Sequence, residues 1–323
     1  MVKAIRIQKP GTADQMKLEE VVLGAPKAGE VLVRHTAIGV NFIDIYHRSG
    51  AYPLTMPHGI GMEAVGVVEA IGKGVSDFKI GERVGHTGGP PGSYAEKCLY
   101  KADRLIKLPK SVPDKIAATL MLKGMTARYL LRQTYKVQKG DFVLVHAAAG
   151  GMGLLLCQWA KALGAKVIGT TSSPAKMALA KKNGCAFPIN YTKEDFVKKV
   201  MLITKGKGVQ VVYDGVGKDT FLKSMECLDT RGHLVCFGAA SGQPAPFALA
   251  ALGPKSLFVT RPSLFNYVLT RADLVANAKE VFKAYETGMF KVQKPKEYKL
   301  AQAAQAHKDL AGRKTTGPSI LIP

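Results

Sequence analysis

Acidic residues are scarce in this sequence. The chain has 24 Asp and Glu against 46 Lys and Arg, which gives a formal net charge of +22. A balance of this kind excludes an acidic protein and favours partners that carry negative charge, such as nucleic acid, an anionic membrane surface or a phosphate-bearing ligand.

Cysteine is also sparse, and its spacing suits neither a metal nor a set of disulfides. The five cysteines form no C-x-x-C pair and have no histidine nearby at metal-binding spacing. This excludes a disulfide scaffold and indicates a reducing compartment, so we expect a cytoplasmic protein. The N-terminal MVKAIRIQKPG lacks the unbroken apolar run of a signal peptide, so no export is expected.

Long hydrophobic runs are missing too, with one stretch that needs an explanation. Between Asp141 and Lys161 there is no formal charge, and this is the length of a membrane span. The stretch nevertheless contains His146, Gln158 and a cluster of glycines. A buried strand, a glycine turn and a helix explain it better, so we expect no membrane insertion.

The length and composition are those of a two-domain globular protein, with 323 residues of which 47% are hydrophobic and 22% charged. The first third alternates apolar and polar residues, as at 30–36, and is typical of an irregular β domain. From about residue 123 apolar strands alternate with helical patterns, which predicts βαβ units on a parallel sheet. The predicted strands there are 142–145, 165–170, 209–214 and 233–237; the predicted helices are 151–163, one capped by Ser173, one from Thr192, 218–228, and two ending near Gly288 and Gly312 before a terminal strand at 319–322.

A glycine-rich turn lies between the strand at 142–145 and the following helix. In AAAGGMG, residues 147–153, small residues stand where a backbone must approach a pyrophosphate at a helix N-terminus. The flanking strand and helix favour dinucleotide binding at Gly150, Gly151 and Met152. The alternative is a turn that is tight only for packing.

The end of the next strand indicates which dinucleotide is bound. An NAD site usually has an acidic residue there, whereas this chain has TTSS at 170–173 and then Lys176. Ser172 and Lys176 can each donate a hydrogen bond to a 2′-phosphate, so we predict NADPH. The alternative is that Ser172 and Ser173 cap a helix and Lys176 is solvated.

These motifs resemble the quinone oxidoreductase and zeta-crystallin branch of the medium-chain dehydrogenase/reductase superfamily. The resemblance rests on GD at 140–141, AAGG at 148–151, Gly153, Gln158 and Lys161, and extends to AIGVNFIDIYHRSGAYP, LKGMTARYLL, VVYDGV, VTRPSL and SILIP. It implies an α/β protein with a GroES-like β-rich catalytic domain, 1–123 and 263–323, and a Rossmann doubly wound parallel sheet domain, 124–262, with NADPH in the cleft between them. It also implies a homodimer formed through the edge strand at 257–260.

The superfamily includes zinc alcohol dehydrogenases, and the sequence departs from them at the metal. By the resemblance, the three catalytic zinc positions carry Asn41, Met62 and Lys123, and the loop for a structural zinc keeps only Cys98. None of the first three is a suitable zinc ligand, so we predict no metal. Without a Lewis acid, reduction of an already electrophilic acceptor fits better than oxidation of an alcohol.

The resemblance further implies which residues form the site. The catalytic candidates are Asn41, Asp44, Tyr46 and Tyr52; for the two tyrosines the alternative is a packing role, and for Asn41 and Asp44 a mutual hydrogen bond. The histidines are not among them: His146 is predicted to lie in the core, and the sequence shows no partner for His35, His58, His86 or His307. The cofactor contacts are expected from Asn41, Phe42, Tyr46, Thr126, Tyr129, Gly150, Gly151, Met152, Ser172, Ser173, Lys176, Tyr191, Gly238, Ser241, Phe265 and Arg313.

The predicted function is NADPH-dependent reduction of quinones by direct hydride transfer. An enone or alkenal reductase is the alternative within enzymes. An RNA-binding protein with a secondary reductase activity is the alternative from another class, since the charge exceeds what NADPH neutralises. However, the Lys-rich stretches at 193–207 and 279–299 match no known RNA-binding motif.

Overall fold

Two sheets of different design organise the chain. The structure, a computed structural model, describes residues 1–323 and divides into two units. The first unit contains Met1–Met125, Val268–Glu286 and Val292–Pro323; the second contains Thr126–Tyr267 and Thr287–Lys291. The sequence prediction placed these boundaries after residues 123 and 262.

The first unit is built mainly of antiparallel strands. Its strands are β1 (Val2–Ile7), β2 (Lys17–Val21), β3 (Glu30–Val40), β4 (His58–Gly59), β5 (Glu63–Ile71), β6 (Arg83–Thr87), β7 (Lys97–Lys101), β8 (Leu105–Lys107), β15 (Lys296–Lys299) and β16 (Ser319–Ile322). The central strand β3 pairs with β5, β7 and β16. The path of the larger sheet is β15-β16-β3-β5-β6-β8, and a second, small sheet has the order β2-β1-β4. The helices of this unit are α1 (Phe42–Ser49), α2 (Asp114–Ala117), α9 (Arg271–Glu286) and α10 (Ala303–Ala311), and α3 (Lys123–Tyr129) begins in it.

The alternation predicted at 30–36 forms the first part of β3. Val31 and Val33 are buried in the core while Arg34 is exposed, as a period of two requires. The strand continues to Val40, and α1 begins at Phe42. The interpretation of the first third as a β domain did not predict this helix.

The second unit is a doubly wound parallel sheet. Its strands are β9 (Phe142–Val145), β10 (Lys166–Thr171), β11 (Phe187–Asn190), β12 (Val209–Asp214), β13 (Leu228–Cys236) and β14 (Phe258–Thr260). Their order in the sheet, β11-β10-β9-β12-β13-β14 with every pair parallel, is the Rossmann order. The helices of this unit are α4 (Gly151–Ala162), α5 (Pro174–Lys182), α6 (Phe196–Ile203), α7 (Phe221–Glu226) and α8 (Leu264–Tyr267). The uncharged stretch is thus β9, a turn and α4, and no helix of the protein is long and apolar enough to cross a membrane.

Three sequence predictions in this unit were wrong at their ends. The helix expected from Thr192 begins at Phe196, because the Asp195 carboxylate accepts the backbone N–H groups of Val197 and Lys198 and caps it there. The helix expected over 218–228 is the shorter α7, and the strand expected from 233 begins at Leu228.

Candidate active site and dinucleotide site

The start of α1 carries two of the predicted catalytic residues. Asn41 precedes the helix in an extended conformation, and its backbone N–H donates to the Asp44 carboxylate at 2.8 Å. The hydrogen bond that the alternative for these two residues requires is therefore present, and their catalytic role stays a prediction. Asp44 Oδ2 also accepts from the Tyr94 hydroxyl at 2.9 Å, and Tyr94 contacts His307 Nε2 at 3.0 Å. His307 thus has a partner that the sequence did not reveal.

The side chain of Asn41 connects Glu63 with Lys123. Its Nδ2 donates to Glu63 Oε2 at 2.8 Å, and its Oδ1 accepts from Lys123 Nζ at 2.5 Å. The other oxygen, Glu63 Oε1, accepts the backbone N–H of Leu122 at 2.7 Å. We call Asn41, Asp44, Glu63 and Lys123 the Asn41 cluster.

Glu63 fits because residue 39 in β3 is a glycine. A β-carbon on Gly39 would lie 2.0 Å from Glu63 Oε2 and 2.5 Å from the Ala118 carbonyl oxygen, closer than atoms can approach. The absence of that atom lets the carboxylate lie against the β3 backbone, where its accessible surface falls to 0%.

Burial shifts the pKa values of the three titratable groups in the Asn41 cluster. It raises the pKa of Asp44 to about 7, against the opposing hydrogen bonds from Asn41 and Tyr94. It also raises the pKa of Glu63 and lowers that of Lys123, although the two opposite charges favour each other. One ammonium between two buried carboxyl groups is balanced when one carboxyl keeps its proton. Asp44 Oδ1, buried without a hydrogen-bond partner, is the free oxygen available for that proton.

Three partly exposed aromatic rings follow one another along α1 and the next loop. The ring centroids of Phe42 and Tyr46 are 6.0 Å apart and those of Tyr46 and Tyr52 5.1 Å apart. The Tyr52 backbone N–H donates to the Tyr46 carbonyl at 3.1 Å, which fixes the loop against the helix. The packing alternative and a contact with a ligand are both compatible with partly exposed rings.

The glycine turn has the backbone that the sequence predicted. Ala147 takes a positive φ of 52°, and Gly150 stands just before the first residue of α4. A β-carbon on Gly153 would lie 2.3 Å from the Ala147 carbonyl oxygen, so helix and turn can pack this closely only with glycine there. The result is an open helix N-terminus at Gly151 and Met152, suited to an anion.

The end of β10 brings together the residues predicted to bind a 2′-phosphate. Lys176 Nζ donates to Ser172 Oγ at 3.4 Å, and the Tyr191 N–H donates to the Thr171 carbonyl at 3.1 Å. Ser173 Oγ accepts the Lys176 N–H at 3.3 Å, so Ser173 caps α5, and its contact with the cofactor stays a prediction. Ser172 does not cap the helix and lies beside the ammonium.

The other predicted cofactor residues are distributed over several loops. Ser241 Oγ donates to the Val216 carbonyl at 2.8 Å, and Arg261 donates to the Gly238 carbonyl at 2.7 Å, so the loops after β12 and β13 are fixed. Thr126 and Tyr129 lie on α3, and Tyr129 is buried in a stack on Tyr267 with centroids 4.3 Å apart. Phe265 lies on α8, and the exposed Arg313 follows α10 with a φ of 56°.

Sequence reasoning missed Glu63, Tyr94 and His307. The comparison with the zinc pattern pointed to Met62, the residue directly before Glu63, but the Met62 side chain lies in the core with 4% of its surface exposed. The available signal was a carboxylate at the start of the apolar run GMEAVGVV. His146 is buried as predicted, between Thr170 Oγ1 and Ser224 Oγ, each 2.9 Å away.

The three positions that hold zinc in the resembling alcohol dehydrogenases do not fit the metal here. The Lys123 ammonium has no lone pair to donate, and the Met62 thioether is buried in the core. Asn41 Oδ1 already accepts a hydrogen bond from Lys123, and Glu63 Oε2 already accepts one from Asn41.

Comparisons with known proteins agree with this architecture. The family model for the alcohol dehydrogenase GroES-like domain matches residues 27–110, and that for zinc-binding dehydrogenases matches residues 151–283. The chain is 48% identical over its full length to a 2-haloacrylate reductase of a Burkholderia species, of which 99% is covered, and 45% identical to a quinone oxidoreductase of Pseudomonas aeruginosa, with both chains fully covered. The crystal structure of Escherichia coli quinone oxidoreductase complexed with NADPH superposes with a TM-score of 0.97 at 43% identity, covering 99% of this chain and 100% of that one.

A GroES-like unit joined to a Rossmann unit defines a medium-chain dehydrogenase/reductase, and the protein is an oxidoreductase. Within that superfamily the chain belongs to the quinone oxidoreductase family.

Proposed function

We propose that the protein reduces quinones with NADPH by direct hydride transfer and without a metal. The observation that carries the proposal is the 45% identity to the Pseudomonas aeruginosa quinone oxidoreductase over both full lengths. The end of β10 supports NADPH, because it presents Ser172 and Lys176 and no carboxylate.

NADPH supplies a hydride from C4 of its nicotinamide. The chain supplies binding and orientation: the N-terminus of α4 attracts the pyrophosphate, and Ser172 and Lys176 donate to the 2′-phosphate. Asn41, Tyr46 and Tyr52 contact the nicotinamide and the acceptor. Positioning two reactants in this way contributes much of a rate enhancement without any covalent step.

The direct test is oxidation of NADPH, followed by its absorbance, with simple benzoquinones and naphthoquinones of increasing size. We expect turnover with these acceptors and none with primary alcohols plus NADP⁺. Lack of turnover with every quinone would contradict the proposal.

A second candidate is reduction of an activated carbon–carbon double bond. It is favoured by the 48% identity to a 2-haloacrylate reductase. The same assay with 2-haloacrylates and conjugated aldehydes distinguishes the two candidates. A kcat/KM for these compounds above that for every quinone would make the alkene the preferred acceptor.

Activity is expected to be independent of metal. Asn41, Met62 and Lys123 provide no zinc site, so dialysis against a strong chelator should leave quinone reduction unchanged, and elemental analysis should find zinc well below one per chain. Loss of activity that zinc restores would contradict this prediction.

Tyr52→Phe is expected to lower kcat only modestly. The lost hydroxyl makes at most one neutral hydrogen bond to the acceptor, worth about 0.5–1.5 kcal/mol, and water can replace it. The ring that packs on Tyr46 is retained. A loss of kcat beyond roughly a thousandfold, about 4 kcal/mol, with NADPH binding unchanged, would make Tyr52 an obligatory proton donor.

A homodimer formed through the edge of the Rossmann sheet is also proposed. β14 ends the sheet order, so one side of its backbone has no neighbouring strand within the chain, and Phe258 on it is 53% exposed. Sedimentation is expected to give twice the mass of one chain, and Phe258→Lys should shift the equilibrium toward monomer. A monomeric wild type at micromolar concentration would contradict the proposal.

A further inference from the structure

The Lys123 ammonium is held in one place by its surroundings. Nζ donates to the Val40 carbonyl at 3.0 Å and to Asn41 Oδ1 at 2.5 Å, while Glu63 Oε2 lies 4.0 Å away. An ammonium has three N–H groups, and these two bonds use two of them. The Lys123 side chain keeps 14% of its surface exposed, whereas Glu63 keeps none.

The neighbours of Lys123 also fix which way Asn41 points. Asn41 Nδ2 donates to Glu63, so Oδ1 faces the ammonium, and Glu63 is itself anchored by the Leu122 N–H. Lys123 follows Leu122 directly and begins α3. The cation is therefore fixed by backbone and side chains together, and it does not depend on a flexible surface rotamer.

A fixed cation of this kind suits the charge that forms during quinone reduction. The hydride carries two electrons and one proton from NADPH, so NADPH becomes NADP⁺ and the quinone becomes a monoanion. Attack at a carbonyl oxygen gives the hydroquinone monoanion, and attack at a ring carbon gives the enolate of its keto tautomer, which then tautomerises. In both cases the negative charge appears on a conjugated oxygen, and a preorganised donor at that oxygen lowers the barrier. The second proton comes from water.

We infer that the Lys123 ammonium, positioned by Asn41 and Glu63, binds this oxyanion. The inference rests on the proposed function. It assigns Lys123 a catalytic role and Glu63 a positioning role, and it gives Asn41 the task of positioning the cation in addition to its proposed contact with the nicotinamide.

The kinetic test uses three variants. Lys123→Met removes the charge and keeps the length of the side chain, but leaves the Glu63 carboxylate without a cation. Lys123→Met combined with Glu63→Gln removes both buried charges and keeps a side chain that can accept from Leu122 and contact Asn41. Lys115→Met is the control, because Lys115 is an exposed lysine paired with Glu297.

If the ammonium binds the oxyanion, both variants that lack Lys123 lose kcat for quinones by about 10²-fold, the usual effect of removing one oxyanion donor. The double variant should recover thermal stability without recovering kcat, NADPH affinity measured by fluorescence should stay within about threefold, and Lys115→Met should match the wild type. Recovery of kcat together with stability in the double variant would show that Lys123 only balances Glu63, and would overturn the inference.

A binding measurement keeps the test valid if the variants do not fold and does not require turnover. 4-Nitrophenol serves as the probe for the oxyanion, and its ionisation is followed by absorbance in the NADPH complex of the wild type, whose nicotinamide ring is neutral. A cation within about 4–6 Å should lower the pKa of the bound phenol by about 1–3 units. An unshifted pKa in the wild type would overturn the inference. A shifted pKa in a wild type that reduces no quinone would contradict the proposed function alone.

Discussion

NADPH is expected to exceed NADH in kcat/KM by about 10–100-fold for each contact that its 2′-phosphate makes, since a charge-assisted hydrogen bond contributes about 1.5–3 kcal/mol. Lys176→Ala should remove one such contact. It should lower kcat/KM for NADPH by that factor and leave NADH nearly unaffected, because only NADPH carries the phosphate that the ammonium meets. Steady-state assays with both cofactors measure the effect.

The same helix provides the control. Lys181 is an exposed lysine in the last turn of α5, away from Ser172, so Lys181→Ala removes one positive charge without touching the end of β10. It should leave both cofactors unchanged. Equal loss with NADPH and NADH in Lys176→Ala would mean that Lys176 only supports the loop.

The protein should lose stability as the pH falls below about 6.5. Burial lowers the pKa of His35 to about 4 and those of His86 and His307 to about 3. Below pH 6.5 the unfolded chain binds protons at these histidines that the folded chain does not, so each costs about 1.4 kcal/mol per pH unit until its folded pKa is reached. Burial also lowers the pKa values of three further histidines, His47, His146 and His233.

Asp44 and Glu63 act in the opposite direction. Their pKa values are raised in the folded state. Between the unfolded and the folded pKa of each group, the folded chain therefore binds a proton that the unfolded chain does not, so a fall in pH across this range stabilises the folded state. These two carboxyl groups offset only part of the contribution of His35, His86 and His307. The free energy of unfolding, measured with urea between pH 8 and pH 4, should therefore decrease steadily below pH 6.5.

His86→Phe isolates one of these contributions. The His86 ring stacks on Tyr100 with centroids 4.1 Å apart, and its buried Nδ1 has no hydrogen-bond partner, so a phenyl ring can replace it. The variant should be close to the wild type at pH 8 and should lose about 1.4 kcal/mol less per pH unit below pH 6.5. Parallel stability curves for the two proteins would contradict the assignment.

Local pattern was sufficient for the Rossmann unit. The strand, turn and helix of residues 142–162 and the capping Ser173 are encoded by neighbours in the chain, and the structure places them as expected. One of the three boundary errors occurred at Asp195, because the capping side chain there outweighs the apolar period of the helix.

The Asn41 cluster could be predicted only in part. The resemblance supplied Asn41, Met62 and Lys123 as positions, but it gave no contact between them. Glu63 lies 22 residues from Asn41, and Tyr94 lies 213 residues from His307, so these hydrogen bonds exist only once the sheets have formed. No periodicity in the sequence indicates a partner at such a distance. For the same reason the sequence showed no partner for His307, which contacts Tyr94, or for His35, which contacts the Ala95 carbonyl and the Tyr100 hydroxyl.

The contact between Gly39 and Glu63 makes two distant positions share one volume. A methyl group at residue 39 and a carboxylate at residue 63 cannot occupy the molecule together, since the first would lie 2.0 Å from the second. The same methyl group would lie 2.5 Å from the Ala118 backbone carbonyl oxygen, which a smaller residue at 63 does not move. A larger residue at 39 therefore has to displace both the carboxylate that anchors Asn41 and the backbone beside it, so bulk at residue 39 serves as a marker, readable from sequence alone, of a chain that no longer holds its lysine in place.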